Sequence, residues 1–323
     1  MRKASTKKVV LIISRRPWEI PVIMPVRFGC SGIYKFAMKI KEYRTQFIAS
    51  LTPIYGALEA ESFFSLALEH YHGMKRSDLA MNPDAAFSPD EIEKWNNVLS
   101  RLNEQIPIQY ILGNAHFFGM EFFVDRNVLI PRPETEELVQ WILSEAQSVT
   151  LSPKILDIGT GSGCIAIALA KNISKSHVDA IDISEAALEV AKKNAASNNA
   201  NVNFAPADIL QAETLEDRYD IIVSNPPYVR ILEKSTMLKN VLASEPHLAL
   251  FVNDDDPLLF YRKIADLAVK HLTEDGLLYF EINQYLGNEM IEMLENKGFT
   301  SIKIRQDIYG NDRMMRCRKP NYS

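Results

Sequence analysis

The stretch Asn225-Pro226-Pro227-Tyr228 has residue types that can hold a polar ligand at the end of a strand. The apolar run at 219–224 precedes it and predicts a buried strand. Because each proline fixes its own φ and lacks an N–H, two in succession predict a stiff loop that leaves the sheet. Ligands bind at the carboxyl edge of open α/β sheets, so this loop is a candidate site. A turn that only ends the strand is the alternative interpretation.

A second candidate segment is the glycine-rich stretch Gly159-Thr160-Gly161-Ser162-Gly163. It follows the apolar residues 154–158 and leads into a predicted helix, whose first turn offers free N–H groups. Glycines let a backbone turn tightly and approach a ligand closely. The spacing is GxGxG, whereas dinucleotide sites have GxGxxG, so a nicotinamide cofactor is disfavoured. A turn needed only for packing is the alternative interpretation.

Together the two segments resemble motifs I and IV of class I methyltransferases, which use S-adenosylmethionine (SAM) and here would act on a planar nitrogen. Asp182 ends the next predicted strand, where a carboxylate can accept both ribose hydroxyl protons. A helix cap shared with Ser184 is the other interpretation of that aspartate. Ile209 lies beyond the third predicted strand, where such enzymes hold the adenine.

The loop at 225–228 suits the recognition of a carboxamide. An amide nitrogen is a poor nucleophile because its lone pair is delocalised into the carbonyl. Asn225 can offer the carbonyl of its side-chain amide and Pro226 its backbone carbonyl to the two N–H groups, and Tyr228 can pack against the flat amide. Aligning the nitrogen with a methyl donor is a proximity effect worth roughly several powers of ten in rate. No strong general base is required if the proton leaves after transfer, which fits a sequence without a His or Cys cluster.

Further segments follow one another in a distinctive order: Pro107-x-Gln109-Tyr110-Ile111-x-Gly113, Val128-Leu129-Ile130-Pro131-Arg132-Pro133-Glu134-Thr135-Glu136, Asp157 to Cys164, Asn225 to Val229, Glu245-Pro246 with Ala249-Leu250, and Gly310-Asn311-Asp312-Arg313. In this combination the sequence, from about residue 38 onwards, resembles the HemK family of release factor glutamine methyltransferases.

The resemblance implies a reaction and a site. Members of that family transfer the methyl group of SAM to the side-chain N5 of the glutamine in the Gly-Gly-Gln loop of peptide chain release factors. By this resemblance, SAM would be bound by the glycine-rich stretch, Asp182 and Ile209. The glutamine amide would be bound by Asn225 to Tyr228, and Asn225 would also contact the cofactor. Some relatives carry an aromatic residue where this protein has Ile209.

The segments that must position these residues alternate between strand and helix after Pro153. Alternation of this kind predicts a doubly wound, mostly parallel sheet, here of seven strands, and two final strands without an intervening helix predict an antiparallel hairpin at its edge. Strands are predicted near 154–158, 177–182, 201–205, 219–224, 277–282, 300–306 and 313–318, and helices near 163–171, 185–197, 257–271 and 286–297.

The residues before the sheet divide into three parts. Residues 1–37 are basic and interrupted by prolines; they predict a tail, a presequence or, as we prefer, an extension upstream of a working start at Met38. Residues 38–105 predict a small helical domain, with Ser88 capping a helix. Residues 106–130 predict a hairpin linker of two extended segments, 106–113 and 117–124, and residues 131–323 the methyltransferase domain.

Composition limits the classes of function. The protein has 323 residues, a net charge of −5 and three separated cysteines. This charge argues against duplex nucleic acid as a partner, and the cysteines form neither a disulfide framework nor metal spacing, which fits a cytoplasmic protein. No apolar run approaches the roughly 20 residues of a membrane span.

Three alternatives stay open from the residues alone. An adenine-N6 or RNA methyltransferase would use the same Asn-Pro-Pro-Tyr loop, but it would want a basic surface. A nicotinamide-dependent dehydrogenase would share the sheet but not the glycine spacing. A SAM-binding scaffold without turnover would share every motif.

Overall fold

The computed structural model describes residues 37–149, 152–236 and 244–319, so the expectations for residues 1–36 lie outside it. The first described part is helical. Its helix at Pro89–Asn103 (α4) begins as predicted, because Ser88 accepts a hydrogen bond from the N–H of Glu91 and the Glu91 carboxylate accepts one from the N–H of Ser88. The elements are β1 (Met38–Lys39), α1 (Ile40–Tyr55), α2 (Ala57–His72), α3 (Arg76–Met81), β2 (Ala86–Phe87) and α4 (Pro89–Asn103).

The linker differs from the prediction at its start. Residues 106–113, expected to be extended, contain the short helix α5 (Ile108–Leu112). The helix ends at Gly113, which has a φ of +76° and donates its N–H to the carbonyl of Gln109 at 2.7 Å. The apolar residues of this segment looked like a strand, but Ile108 and Ile111 are buried against the helical core.

The hairpin itself is shorter than predicted and begins one residue after that helix. It consists of β3 (Asn114–Phe117) and β4 (Met120–Phe123), which pair antiparallel. Phe118 and Gly119 join the strands with φ values of +50° and +73°, the backbone signs of a two-residue type I′ turn.

The C-terminal part is built on the predicted seven-stranded sheet. The strands are β5 (Lys154–Ile158), β6 (His177–Asp182), β7 (Asn203–Pro206), β8 (Tyr219–Ser224), β11 (Leu272–Glu281), β12 (Thr300–Gln306) and β13 (Asp312–Arg318). Their order in the sheet is β12-β13-β11-β8-β5-β6-β7; the contacts among β11, β8, β5, β6 and β7 are parallel, whereas β13 runs antiparallel to both β11 and β12. This confirms the predicted fold, including the antiparallel final pair.

Helices cover both faces of the sheet. Trp141 and Ile167 belong to the core on one face, and Tyr261 and Met290 to the core on the other. The helices are α6 (Pro133–Val149), α7 (Cys164–Asn172), α8 (Glu185–Ser197), the short α9 (His247–Leu250), α10 (Leu259–His271) and α11 (Gly287–Asn296). A small parallel pair, β9 (Val229–Arg230) with β10 (Phe251–Val252), and a 3₁₀ helix at Ile231–Thr236 complete the described elements.

The strand order determines where a ligand can bind. The backbone passes from β5 to β6 and β7 on one side and then places β8 on the other side of β5. The loops after β5 and β8 therefore diverge at a topological switch point and leave a crevice between them. Within the described residues, no helix is both long enough and apolar enough to cross a membrane.

Candidate active site

A cavity of about 290 Å³ lies at the carboxyl ends of β5, β6 and β8. Nine of the eleven residues predicted from the sequence line it: Gly159, Thr160, Gly161, Ser162, Asp182, Ile209, Asn225, Pro226 and Pro227. The two others, Gly163 and Tyr228, have different surroundings that are described below. Both candidate segments thus belong to one site, with the glycine-rich turn on one wall and the proline loop on another.

The glycine-rich turn presents bare backbone to the cavity. Gly159 and Gly161 have φ values of +74° and +55°, and a Cβ built on either would have no atom within 4 Å. The turn is fixed from behind, because the N–H groups of Gly159 and Thr160 both donate to the carbonyl of Ile181, at 2.8 and 3.1 Å. Open space above a fixed turn is the condition for a ligand to approach the backbone closely.

Gly163 lies outside the cavity lining and is closely packed, and its predicted contact with a cofactor stays a prediction. A Cβ there would lie 3.0 Å from Ile167 Cδ1 and 3.1 Å from Ala191 Cβ, inside the contact between α7 and α8. Its φ of +82° also disfavours any other residue. The packing turn considered as an alternative therefore describes the third glycine, whereas the first two open towards the cavity.

A buried carboxylate lies beneath this turn. Asp157 is fully buried; its Oδ2 accepts a hydrogen bond from the Thr160 hydroxyl at 2.7 Å, and its Oδ1 has no hydrogen-bond partner within the described residues. Burial raises its pKa to about 7. The preceding apolar residues mark this aspartate as the buried end of a strand, although it was not among the predicted site residues.

Asp182 stabilises the glycine-rich turn and also lines the cavity. Its Oδ2 accepts from the N–H of Gly161 at 2.8 Å, and its Oδ1 accepts from the N–H of Ser184 at 2.9 Å. The cap of α8 is Ser184, whose hydroxyl accepts from the N–H of Ala187 at 3.2 Å. Each carboxylate oxygen has further lone pairs, so Asp182 can still accept hydrogen bonds from a ligand.

Apolar side chains flank Asp182 in the cavity. Ile183 is 58% exposed there, and Ile209 is half-buried with its other side against the core. Asp208 orders the loop before Ile209 by accepting a hydrogen bond from the N–H of Leu210 at 2.9 Å. Ile183 and Ile209 thus offer an aliphatic surface against which a flat ring can pack.

The proline loop contributes the opposite wall. Its preceding strand is joined to β5 by the Ser224 hydroxyl, which donates to the carbonyl of Ile158 at 2.7 Å. Pro226 is buried and Asn225 is half-buried, and both line the cavity. The Nδ2 of Asn225 lies 3.5 Å from the hydroxyl of Thr135 in the first turn of α6.

Tyr228, at the end of the proline loop, lies outside the cavity lining. Its hydroxyl donates to Oε1 of Glu281 at 3.0 Å, and its ring packs against the core beneath the sheet end. Burial and the neighbouring carboxylate raise its pKa, so the phenol stays neutral. The described contacts make Tyr228 an anchor of the loop; its predicted packing against a substrate amide stays a prediction.

Thr135 lines the cavity and Glu281 lies beside it, and neither was among the site residues predicted from the sequence. Glu281 ends β11, is 1% exposed, and accepts hydrogen bonds from Thr135 at 2.6 Å and Tyr228 at 3.0 Å. Burial raises its pKa, while the two hydroxyls and the charge of Arg313 act in the opposite direction. An acidic residue that directly follows a run of four buried apolar residues in a strand was the available signal.

An ion pair closes another side of the cavity. Arg132, which lines the cavity, donates to Oε1 of the buried Glu245 at 2.6 Å. Burial raises the pKa of Glu245, and Arg132 opposes this shift. The pair joins the segment before α6 to the segment before α9, two motifs that are 113 positions apart.

Comparisons with known proteins find two matching family models and a similar solved structure. A family model for the methyltransferase small domain matches residues 135–250, and a model for the PrmC N-terminal domain matches residues 44–113. A solved methyltransferase from Pyrococcus furiosus matches at 20% identity with a TM-score of 0.48, over 70% of this protein and 99% of that structure.

Curated relatives are more similar. The release factor glutamine methyltransferase of Flavobacterium psychrophilum is 55% identical over 86% of this protein and 99% of its own length. The protein of the same name from Bacteroides thetaiotaomicron is 46% identical over 82% of this protein and 95% of its own length. With these two relatives and a cavity that joins both predicted motifs, the chain belongs to the release factor glutamine methyltransferase family.

Proposed function

We propose that this protein transfers the methyl group of SAM to the side-chain amide nitrogen of the glutamine in the Gly-Gly-Gln loop of peptide chain release factors. The observation that carries the proposal is one cavity with a backbone-lined cofactor wall at Gly159–Ser162 and an amide-bearing wall at Asn225–Pro227. The names of the similar curated proteins support the substrate class. We place the activity in the cytoplasm, because peptide chain termination takes place there.

The cofactor wall fits SAM in its chemistry. Asp182 can accept hydrogen bonds from ribose hydroxyls, the open backbone at Gly159 and Gly161 allows close approach of the aminoacyl end, and Ile183 with Ile209 can flank the adenine. When bound there, SAM supplies an electrophilic methyl group on a positively charged sulfur.

The wall at Asn225–Pro227, called the acceptor wall below, orients the amide of the substrate. The amide carbonyl of Asn225 and the backbone carbonyl of Pro226 can each accept one N–H of a carboxamide, which fixes the plane and direction of its nitrogen. Rigid prolines on a strand end keep these acceptors in place, so alignment is established before the reaction. Loss of the extra proton after transfer does not need a strong base in the site.

The ionisable groups around the cavity fit this mechanism. Burial raises the pKa of the Cys164 thiol to about 12, so it stays neutral and is a poor nucleophile at pH 7. Glu281 is occupied by two hydroxyl groups, and Asp157 lies beneath the glycine turn. These residues shape the site, and Asn225 and Pro226 contact the amide.

Mass spectrometry of a release factor incubated with this protein and SAM tests the proposal. We expect a mass increase of one methyl group on the Gly-Gly-Gln peptide, and none when that glutamine is replaced by glutamate. RNA and adenine-containing DNA are included as competing substrates. Methylation of either nucleic acid with an unmodified release factor would overturn the assignment in favour of the nucleic-acid methyltransferases.

A further inference from the structure

A series of hydrogen bonds runs from a buried carboxylate to the amide of Asn225. Glu281 accepts a hydrogen bond from the hydroxyl of Thr135 at 2.6 Å, and the same hydroxyl oxygen lies 3.5 Å from Asn225 Nδ2. Both Glu281 and Thr135 are buried, at 1% and 2% exposure. Water therefore does not compete for these polar groups, and the identity of donor and acceptor along the series is determined by the residues themselves.

The single hydrogen of the Thr135 hydroxyl determines which groups donate and which accept in this series. A threonine hydroxyl has one hydrogen to donate and two lone pairs that accept. In its ionised form Glu281 can only accept hydrogen bonds, and it accepts from the hydroxyls of Thr135 at 2.6 Å and Tyr228 at 3.0 Å, so the hydrogen of Thr135 is directed to the carboxylate. Towards Asn225 the hydroxyl oxygen can then only accept, so the NH₂ end of the Asn225 amide must face Thr135.

We propose that Glu281 and Thr135 act as positioning residues that orient the Asn225 amide, with its NH₂ towards Thr135 and its carbonyl oxygen towards the methyl acceptor. A site with an oxygen in this place binds an acceptor that carries N–H, a carboxamide, and repels a carboxylate. Had the NH₂ faced the cavity, the preference would be reversed. This inference rests on the proposed function and adds the origin of its selectivity for glutamine over glutamate.

Glu281 also holds the second end of the loop. Its other oxygen accepts from the Tyr228 hydroxyl at 3.0 Å, so one carboxylate fixes both the amide direction at Asn225 and the position of the backbone three residues later. The Tyr228 carbonyl in turn accepts from Asn283 Nδ2 at 3.0 Å. A polar group at the end of β11 thus controls a loop that follows β8.

The first test removes only the hydroxyl. Thr135→Val keeps the shape of the side chain, and Thr135→Ser keeps the hydroxyl as the matched control. We expect Thr135→Val to lower kcat for release factor methylation about 10- to 100-fold, as expected when buried polar partners are left unpaired, with little change in the SAM Kd. Thr135→Ser should stay within about threefold of the parent protein, since it retains the donor and acceptor.

The second test reverses the series and does not depend on the stability of the valine variant. In Asn225→Asp, an oxygen without hydrogen would face the Thr135 oxygen, whose hydrogen is committed to Glu281. In the double variant Asn225→Asp with Glu281→Gln, the Gln amide can donate to Thr135, which can then donate to the new carboxylate. We expect the double variant to methylate at least about tenfold faster than Asn225→Asp alone, although each single change impairs the enzyme.

The outcomes separate the two proposals. An inactive parent protein in the same assay would overturn the proposed function itself. An active parent with a fully active, folded Thr135→Val, or with losses that simply add in the double variant, would overturn the orientation by Glu281 and Thr135. Faster turnover in the double variant supports it, because a purely structural role of Glu281 predicts two additive losses.

Discussion

The cofactor wall and the acceptor wall of the cavity are built in different ways. The cofactor wall consists of backbone from one turn, fixed by Asp182, which is 21 positions from Gly161. The acceptor wall depends on side chains that are far apart in sequence: Thr135 is 90 positions from Asn225 and 146 from Glu281. A wall made from a local motif can be identified from a short sequence pattern, whereas a wall assembled from distant side chains needs the whole fold.

This difference predicts different consequences of substitution. Changes in the cofactor wall should alter binding or folding, because its contacts are made by the backbone and one carboxylate. Changes in the acceptor wall should alter turnover, because its groups are the ones proposed to align the reacting amide.

The largest effect on activity is expected for Asn225→Ala. The substitution removes a side-chain acceptor from the acceptor wall, and losing one well-placed hydrogen bond in a transition state reduces kcat by about 10²–10³, or about 2.7–4 kcal/mol. The SAM Kd should change much less. Methylation rates, SAM calorimetry and thermal unfolding of the same preparation measure this; a folded variant with near-normal turnover would contradict the catalytic role of Asn225.

Replacing two glycines of the turn separates ligand contact from packing. Gly163→Ala places a Cβ 3.0 Å from Ile167 and 3.1 Å from Ala191 at a φ of +82°, so we expect a loss of about 2–4 kcal/mol in unfolding free energy. Gly161→Ala has the φ penalty but open space, so it should lose about 1–2 kcal/mol and weaken SAM binding. If the two variants lose equal stability in denaturant titrations, the close contacts at Gly163 add nothing to the cost of its positive φ.

Asp182→Ala should weaken the binding of SAM by about 1.5–3 kcal/mol, which is the free energy of hydrogen bonds to a charged group. Turnover at saturating SAM should be largely retained, since the residue belongs to the cofactor wall. Asp179→Ala provides a matched control on the same strand, because Asp179 pairs with Lys154 and Asn203 outside the cavity lining. Unchanged SAM affinity in the Asp182 variant, measured by calorimetry, would remove Asp182 from the site.

Asp157 predicts a pH dependence of the stability of the protein. Its pKa is raised from 3.8 to about 7 by burial, so between these values the folded protein binds more protons than the unfolded state. Stability should therefore fall as pH rises from about 4 to about 7 and stay low above that range.

Asp157→Asn cannot titrate and should lack this slope. The difference in unfolding free energy between variant and parent should change by at least about 1.4 kcal/mol across the window, the value of one pKa unit. Denaturant unfolding at several pH values tests it, and parallel pH profiles for the two proteins would show that Asp157 has an ordinary pKa.

Local patterns were sufficient for the fold and for the two motifs that meet in the cavity. The alternation of strand and helix after Pro153 predicted the parallel sheet. Strands that are buried on both faces appear in the sequence as continuous apolar runs, and the turns between them contain glycine and proline. The helix start at Ser88 followed from its side chain and that of Glu91. Where local signals conflicted, the prediction failed: residues 106–113 have strand-like composition, but Ile108 and Ile111 gain burial in a helical turn against the N-terminal core.

By itself, the sequence determined the sheet, the glycine-rich turn, and the loop at Asn225–Tyr228 at a strand end, since each depends on residues that are near one another in sequence. Only the tertiary structure decided that Gly163 packs against Ala191 and that Tyr228 donates to Glu281. It also decided that Thr135 lies between Glu281 and Asn225. These contacts join residues separated by 28 to 146 positions. Which group donates and which accepts in such a hydrogen bond depends on the other polar groups buried beside it, and the fold alone brings those groups together.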